Sequence, residues 1–190
     1  MNTQPRQIAT IEGDVYRAAY IARAESDSLR PYLEHLFLSE RGDLVGTNGH
    51  LMYVGPATHL LVEPRELLFA APKAPALVTV VELWEHENPW MVTVKFIYAR
   101  REDQPQIVAV SKQVYPDYQS ILDMNRKRAP FYEYGFDTVY LRKLVDIFGK
   151  ASHLKFDQAN SGMGAFVTNI HRQGGRNLPG VAVIMPIRTV

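Results

Sequence analysis

Apolar and polar positions alternate from the start of the ordered pattern. Gln7-Ile8-Ala9-Thr10-Ile11 has the period of two that a half-buried strand needs. Directly after it, Val15, Ala18, Ala19 and Ala22 recur at helical spacing behind a Gly13-Asp14 N-cap signal, which predicts a helix over about 15–24. The run Tyr32-Leu33-Glu34-His35-Leu36-Phe37-Leu38 reads as a strand. Glu40-Arg41-Gly42-Asp43 turns it into a second strand, which begins at Leu44-Val45 and continues past Asn48-Gly49 through 51–54. Prolines at 64, 72, 75 and 89 leave room for at most a short helix near 65–68. The β-rich runs 78–84, 91–98 and 106–110 then form a meander. Residues 123–130 are polar, basic and closed by Pro130, the composition of a linker. Beyond it the first pattern returns, with a strand over 131–136 and Asp137 as an N-cap. In the helix that follows, Leu141, Leu144, Val145 and Phe148 line one face and Arg142, Lys143, Asp146 and Lys150 the other. Strands follow at 153–156, 164–168 and 181–185. A strand-helix-strands unit is thus used about three times with the middle copy worn, which predicts an α+β fold.

Composition narrows the class. At 190 residues and 46% hydrophobic content the chain buries a core without staples, and the absence of cysteine excludes disulfide scaffolds, thiolate zinc sites and cysteine nucleophiles. The first residues lack an apolar leader, and no run approaches the roughly 18 apolar residues of a membrane span, so a cytoplasmic protein without a membrane partner is expected. The net charge of +1 conceals a dipole. Residues 1–124 hold 11 Lys/Arg against 16 Asp/Glu, a net of −5, whereas 125–190 hold 10 against 4, a net of +6. The basic end suits nucleic acid, or the acidic end of a second copy; composition does not choose.

Three collinear segments resemble the bacterial sliding clamp, the β subunit of DNA polymerase III. Ser28-Leu29-Arg30-Pro31-Tyr32-Leu33 followed by Val45-Gly46-Thr47-Asn48-Gly49-His50-Leu51 is similar to the clamp's middle domain. Tyr115-Pro116-Asp117-Tyr118-Gln119-Ser120-Ile121-Leu122 resembles the segment that closes that domain, and Val183-Ile184-Met185-Pro186-Ile187-Arg188 the clamp's C-terminal end. The resemblance implies that residues 1–124 correspond to the middle domain, 125–130 to a linker and 131–190 to the second half of the last domain. It also implies a DNA-clamp-like α+β fold of repeated strand-helix-strand units, with antiparallel sheets outside and helices on one face.

The resemblance further implies sites. In clamps these segments converge on a hydrophobic pocket that captures short peptides from polymerases and the clamp loader. Carried over, it comprises Leu33, Thr47, Gly49, His50, Pro116, Ile121, Val183, Ile184, Met185, Pro186 and Ile187. The alternative for these positions is ordinary strand and turn packing. The sequence departs from the family at Asn48, Leu51 and Ser120, where clamps carry Asp, Arg and Arg. Cations facing double-stranded DNA are expected at Arg17, Arg23, Arg142, Lys143 and Lys150 on helices, and at Arg126, Lys127, Arg128, Arg172 and Arg176 in loops; the alternative is a solvated face.

No catalytic motif is present: there is no His-Glu-x-x-His, Gly-x-Ser-x-Gly or P-loop, and Gly162-Met163-Gly164 lacks the rest of a dinucleotide fingerprint. Glu85-His86-Glu87 reads as a surface turn rather than a metal site. The expectation is therefore a non-enzymatic protein without cofactor or metal that assembles with itself, a ring being one form, and binds DNA and polymerase or clamp-loader peptides. The alternative is a module outside any ring that competes with a true clamp for those peptides. Clamp rings contain twelve strand-helix-strand units, so about three per chain implies four chains.

Overall fold

The computed structural model of the chain describes residues 5–25, 29–61, 63–99, 103–126, 135–149, 153–158, 164–170 and 179–186, without the side chains of 124–126, 153, 158, 169 and 170. Strand β1 (Gln7–Glu12) leads directly into helix α1 (Gly13–Ala22), whose N-cap is Glu12 without a side-chain bond, so the expected Gly13-Asp14 cap is already helical. A 3₁₀ turn, Pro31–Glu34, and the short strand β2 (Leu36–Leu38) replace the single strand expected over 32–38. Pro31 has no N–H for a ladder and its φ suits the first position of a helical turn, which shortens the strand from its N-terminal side.

The stretch expected as one strand through 54 is a hairpin of β3 (Asp43–Thr47) and β4 (Leu51–Pro56), in register Val45↔Val54 and Thr47↔Met52. Its apolar run is continuous because both faces are covered. Leu44, Leu51 and Tyr53 join the main core, while Val45, Met52 and Val54 join a second core on the opposite face. Past β5 (Thr58–His59), the short helix expected near 65–68 is instead β6 (Leu67–Phe69), a strand paired with β2. The meander is β7 (Val80–Glu85), β8 (Met91–Ile97) and β9 (Gln106–Ala109).

A helix not expected from the sequence, α2 (Tyr118–Arg126), occupies the start of the supposed linker. It begins because Asp117 accepts hydrogen bonds from the Ser120 backbone N–H (3.1 Å) and the Ser120 hydroxyl (2.5 Å), the arrangement of an N-cap. The strand expected over 131–136 falls largely outside the described residues. Helix α3 (Thr138–Phe148) starts at Asp137, whose carboxylate accepts from Val139 N at 2.8 Å as expected. Its buried face is Leu144, Ile147 and Phe148, whereas Val145 is 39% exposed, so the helix is rotated from the stripe read in the sequence. Strands β10 (His153–Gln158), β11 (Ala165–Ile170) and β12 (Val181–Ile184) close the chain.

These strands form two antiparallel sheets, one in the order β5-β1-β7-β8-β9 and one in the order β10-β11-β12-β4-β3-β2-β6. Residues on both sides of 125–130 share the larger sheet, since β12 pairs with β4 in register Val183↔Met52 and Ile184↔Leu51. Helices α1 and α3 pack against each other over the main core, and α2 lies on the other face of the larger sheet through Tyr118 and Leu122. That pairing of β12 with β4 brings the C-terminal strand beside the β3–β4 turn and the N-terminal end of α2.

Candidate functional site

The β3–β4 turn is held by its own polar side chains. The Thr47 hydroxyl donates to Leu51 O (2.8 Å) and accepts from Gly49 N (3.1 Å), and Asn48 Oδ1 accepts from His50 N (2.9 Å) and Leu51 N (2.8 Å). Gly49 has φ +87°, a value that L side chains rarely adopt. The turn is joined to the C-terminal strand by Met185 N, which donates to His50 O at 2.8 Å. The His50 ring stacks on Tyr140 of α3 at 5.3 Å with planes 16° apart.

The opposite wall is fixed from the 115–122 segment. Tyr115 stacks on Phe37 (centroids 4.8 Å apart, planes 11°), and Tyr118 donates to Asp43 Oδ2 at 2.8 Å, which ties α2 to β3. Burial pushes the Tyr115 phenol well above its ordinary range, so its hydroxyl stays protonated beside the Thr47 backbone, without closing a hydrogen bond. Asp117 sits below the usual carboxylate range because the Ser120 hydroxyl and N–H stabilise its charged form.

Between these walls lies a cleft of about 210 Å³. Eight of the eleven expected pocket residues line it: Leu33, Thr47, Gly49, His50, Pro116, Ile121, Val183 and Met185. Ile184 does not, because it alternates with Val183 along β12 and is fully buried in the main core. Pro186 is half-buried outside the lining, and Ile187 lies outside the described residues. Four further residues, Arg30, Tyr32, Leu51 and Met52, complete the wall. Each is within or beside a segment singled out in the sequence, but Met52 is assigned to the cleft only through the β4–β12 register, a pairing of residues about 130 apart.

Of the ten expected DNA-facing cations, Arg17, Arg23, Arg142 and Lys143 have described side chains. Arg17 donates to Val78 O (3.0 Å) and Pro75 O (3.4 Å) and pairs with Asp14. Arg23 donates to Ala24 O at 2.6 Å and stacks over Tyr20, 4.0 Å from its centroid. Arg17 on α1 and Arg23 at its C-cap are thus engaged within the chain. On α3, Arg142 is exposed and Lys143 half-buried. Arg126 ends α2, on the other sheet face from α1 and α3, and its side chain lies outside the description together with Lys127, Arg128, Lys150, Arg172 and Arg176. Glu85 is held by Arg6 (3.0 Å) and Arg65 (3.6 Å), while His86 Nδ1 accepts from Asn88 N in a local turn. Among the described residues no group of three or more His, Asp or Glu gathers as a metal site, and no helix is long and apolar enough to cross a membrane.

Two antiparallel sheets around a packed helix pair, with this cleft where the C-terminal strand meets the β3–β4 turn, define a protein with the fold of a DNA sliding clamp. The β subunit of DNA polymerase III from Caulobacter crescentus matches 100% of this chain and 68% of its own, with a TM-score of 0.64 at 13% identity. The Thermotoga maritima β subunit matches 100% and 68% with a TM-score of 0.61 at 10% identity, and the Borrelia burgdorferi one 99% and 64% with 0.58 at 16%. The alignment therefore spans about two thirds of those clamp chains. No protein-family model matches the sequence, and none of the curated proteins does.

Proposed function

We propose that this chain is a non-enzymatic, clamp-fold protein of DNA replication that captures short linear peptides, of the kind carried by polymerases and clamp loaders, in the cleft beside the β3–β4 turn. The observation that carries the reading is the convergence of Leu33, Thr47, His50, Pro116, Ile121 and Met185, from four separate parts of the chain, on one largely apolar cleft. Methionine and isoleucine walls adapt to varied apolar anchors, and a turn held by its own hydrogen bonds gives those anchors a rigid edge. In this reading the stretches 1–124 and 131–190 stand for a clamp middle domain and the second half of its last domain. A labelled peptide with paired leucine and phenylalanine anchors is expected to bind in the micromolar range, roughly −8 kcal/mol. Replacing Ile121 and Met185 together with alanine is expected to weaken binding about tenfold or more. Unchanged affinity in that double variant removes the cleft from the function.

A second reading, self-assembly around duplex DNA, is favoured by β10, which ends the larger sheet among the described residues. The engagement of Arg17 and Arg23 within the chain leaves α3 as the described helix that offers cations to DNA, so peptide capture ranks first.

A further inference from the structure

The chain contains no cysteine, so its sulfur chemistry falls to six methionines. Three of them have described side chains, and each sits differently. Met52 is 4% exposed and packed in the second core, Met91 is half-buried on β8 of the other sheet, and Met185 is half-buried in the wall of the cleft. Met185 is therefore the described cleft sulfur that a small oxidant in solution reaches. Its backbone is fixed by the bond from its N–H to His50 O (2.8 Å), and its Sδ lies so close to Gly164 that a Cβ there would stand 2.9 Å away. One side of the sulfur is thus closed by the backbone just before β11, and an oxygen added to it has the cleft side to occupy. The donors of the neighbouring turn are already spent. The Thr47 hydroxyl donates to Leu51 O, Gly49 N to Thr47 Oγ1, and His50 N and Leu51 N to Asn48 Oδ1. A sulfoxide covered by an apolar anchor loses its water without gaining a partner from the turn.

We propose that Met185 is an oxidation site through which hydrogen peroxide lowers the affinity of the cleft for peptides. This rests on the peptide-capture reading. In the step, the Met185 thioether sulfur attacks one peroxide oxygen, and an S–O bond forms as the O–O bond breaks. Sulfur gives up an electron pair, the peroxide is reduced, and the departing hydroxide takes the proton of the transferred oxygen and leaves as water. The product is a polar, chiral sulfoxide in place of a flexible apolar side chain, and sulfoxide reductases return it to the thioether. A peptide seated over Met185 in turn shields the sulfur from peroxide.

The test is fluorescence anisotropy of the full chain with a labelled, methionine-free probe, Gly-Leu-Gln-Leu-Phe-Gly, before and after peroxide treatment, with the added oxygen located by mass spectrometry of proteolytic fragments. Wild type oxidised at Met185 is expected to bind about tenfold more weakly, and a pair of methionine sulfoxide reductases, one for each epimer, to restore the affinity. Met185→Leu keeps an apolar wall, so it binds within about twofold of untreated wild type and loses the sensitivity, while Met91→Leu retains it. Saturating probe slows oxidation at Met185 and leaves the rate at Met91 unchanged. Full affinity in chain oxidised at Met185, a loss that the reductases do not reverse, the same loss in Met185→Leu, or oxidation of Met185 as fast with probe bound as without overturns the assignment and leaves peptide capture standing. Untreated wild type that fails to bind the probe removes peptide capture and this assignment with it.

Discussion

Tyr16, Tyr53 and Tyr115 hold their hydroxyls inside the protein, the first two donating to Pro72 O (2.8 Å) and Pro179 O (2.5 Å). Burial raises all three phenols above their ordinary range. The fold therefore favours their protonated form, so the stability they contribute is fully present below about pH 10 and is lost as pH rises beyond the unfolded phenol value. Of the ten tyrosines, these three are expected to stay un-ionised in an absorbance titration while the fold persists above about pH 10, and the Tm is expected to fall steeply there. Ionisation of all ten near pH 10 in a still-folded chain would contradict the burial. At this scale the sequence was most informative where a motif was local. The Asp137 cap was readable because it depends on a partner two residues away. Arg30 was not singled out, because what defines it is a guanidinium placed over Gly49 from a different element.

Helix α2 shows why one element escaped. Its last residues, from Asp123, fall in the polar, basic stretch that matches a linker, and the helix owes its place to Asp117 at its start and to Asp43 on β3, which accepts from Tyr118 and, at 3.3 Å, from Gln119. Tyr118→Phe removes one bond that holds the cleft wall to the sheet, and a loss of about 1 kcal/mol is expected. That corresponds to a Tm lower by roughly 2–4 °C and a peptide affinity reduced severalfold; a variant with lower Tm but unchanged affinity would separate α2 from the site. The opposite face of the sheet allows no such adjustment. A Cβ on Gly46 would stand 1.9 Å from Ala19 O, so Gly46→Ala forces α1 away from β3. Overpacking of this kind costs about 1–3 kcal/mol, and a Tm drop is expected in thermal unfolding, with the far-UV spectrum retained below it. The β3–β4 hairpin was hidden in the sequence for the converse reason: with both faces buried, its apolar run carries no alternation to mark where one strand stops.

For the whole molecule, β1, α1, the meander, α3 and the three last strands were legible in order, whereas β6 and α2 were not, and neither was the pairing of β12 with β4, since periodicity says nothing about which distant strands become neighbours. That pairing matters for assembly. Three units per chain lead to a ring of four, while the two helices packed side by side, α1 and α3, lead to six copies for twelve inner helices. Light scattering at low and moderate salt distinguishes four, six and no assembly, and a chain that stays monomeric at every concentration favours the competitor reading over the ring. If α3 faces DNA, binding to linear duplex is expected to be weak and steeply salt-dependent, and replacing Arg142 and Lys143 together with glutamine should reduce the slope by up to about two. An unchanged slope would place the DNA contact elsewhere.

The claim that peptides bind beside the β3–β4 turn is tested most directly by where a bound peptide perturbs the protein. The chain has six methionines, of which Met52 and Met185 line the cleft and Met91 lies on β8 in the other sheet. With methyl-labelled methionine, a saturating peptide is expected to shift the Met52 and Met185 signals and to leave Met91 in place. A titration that saturates with Met52 and Met185 unmoved would contradict the account.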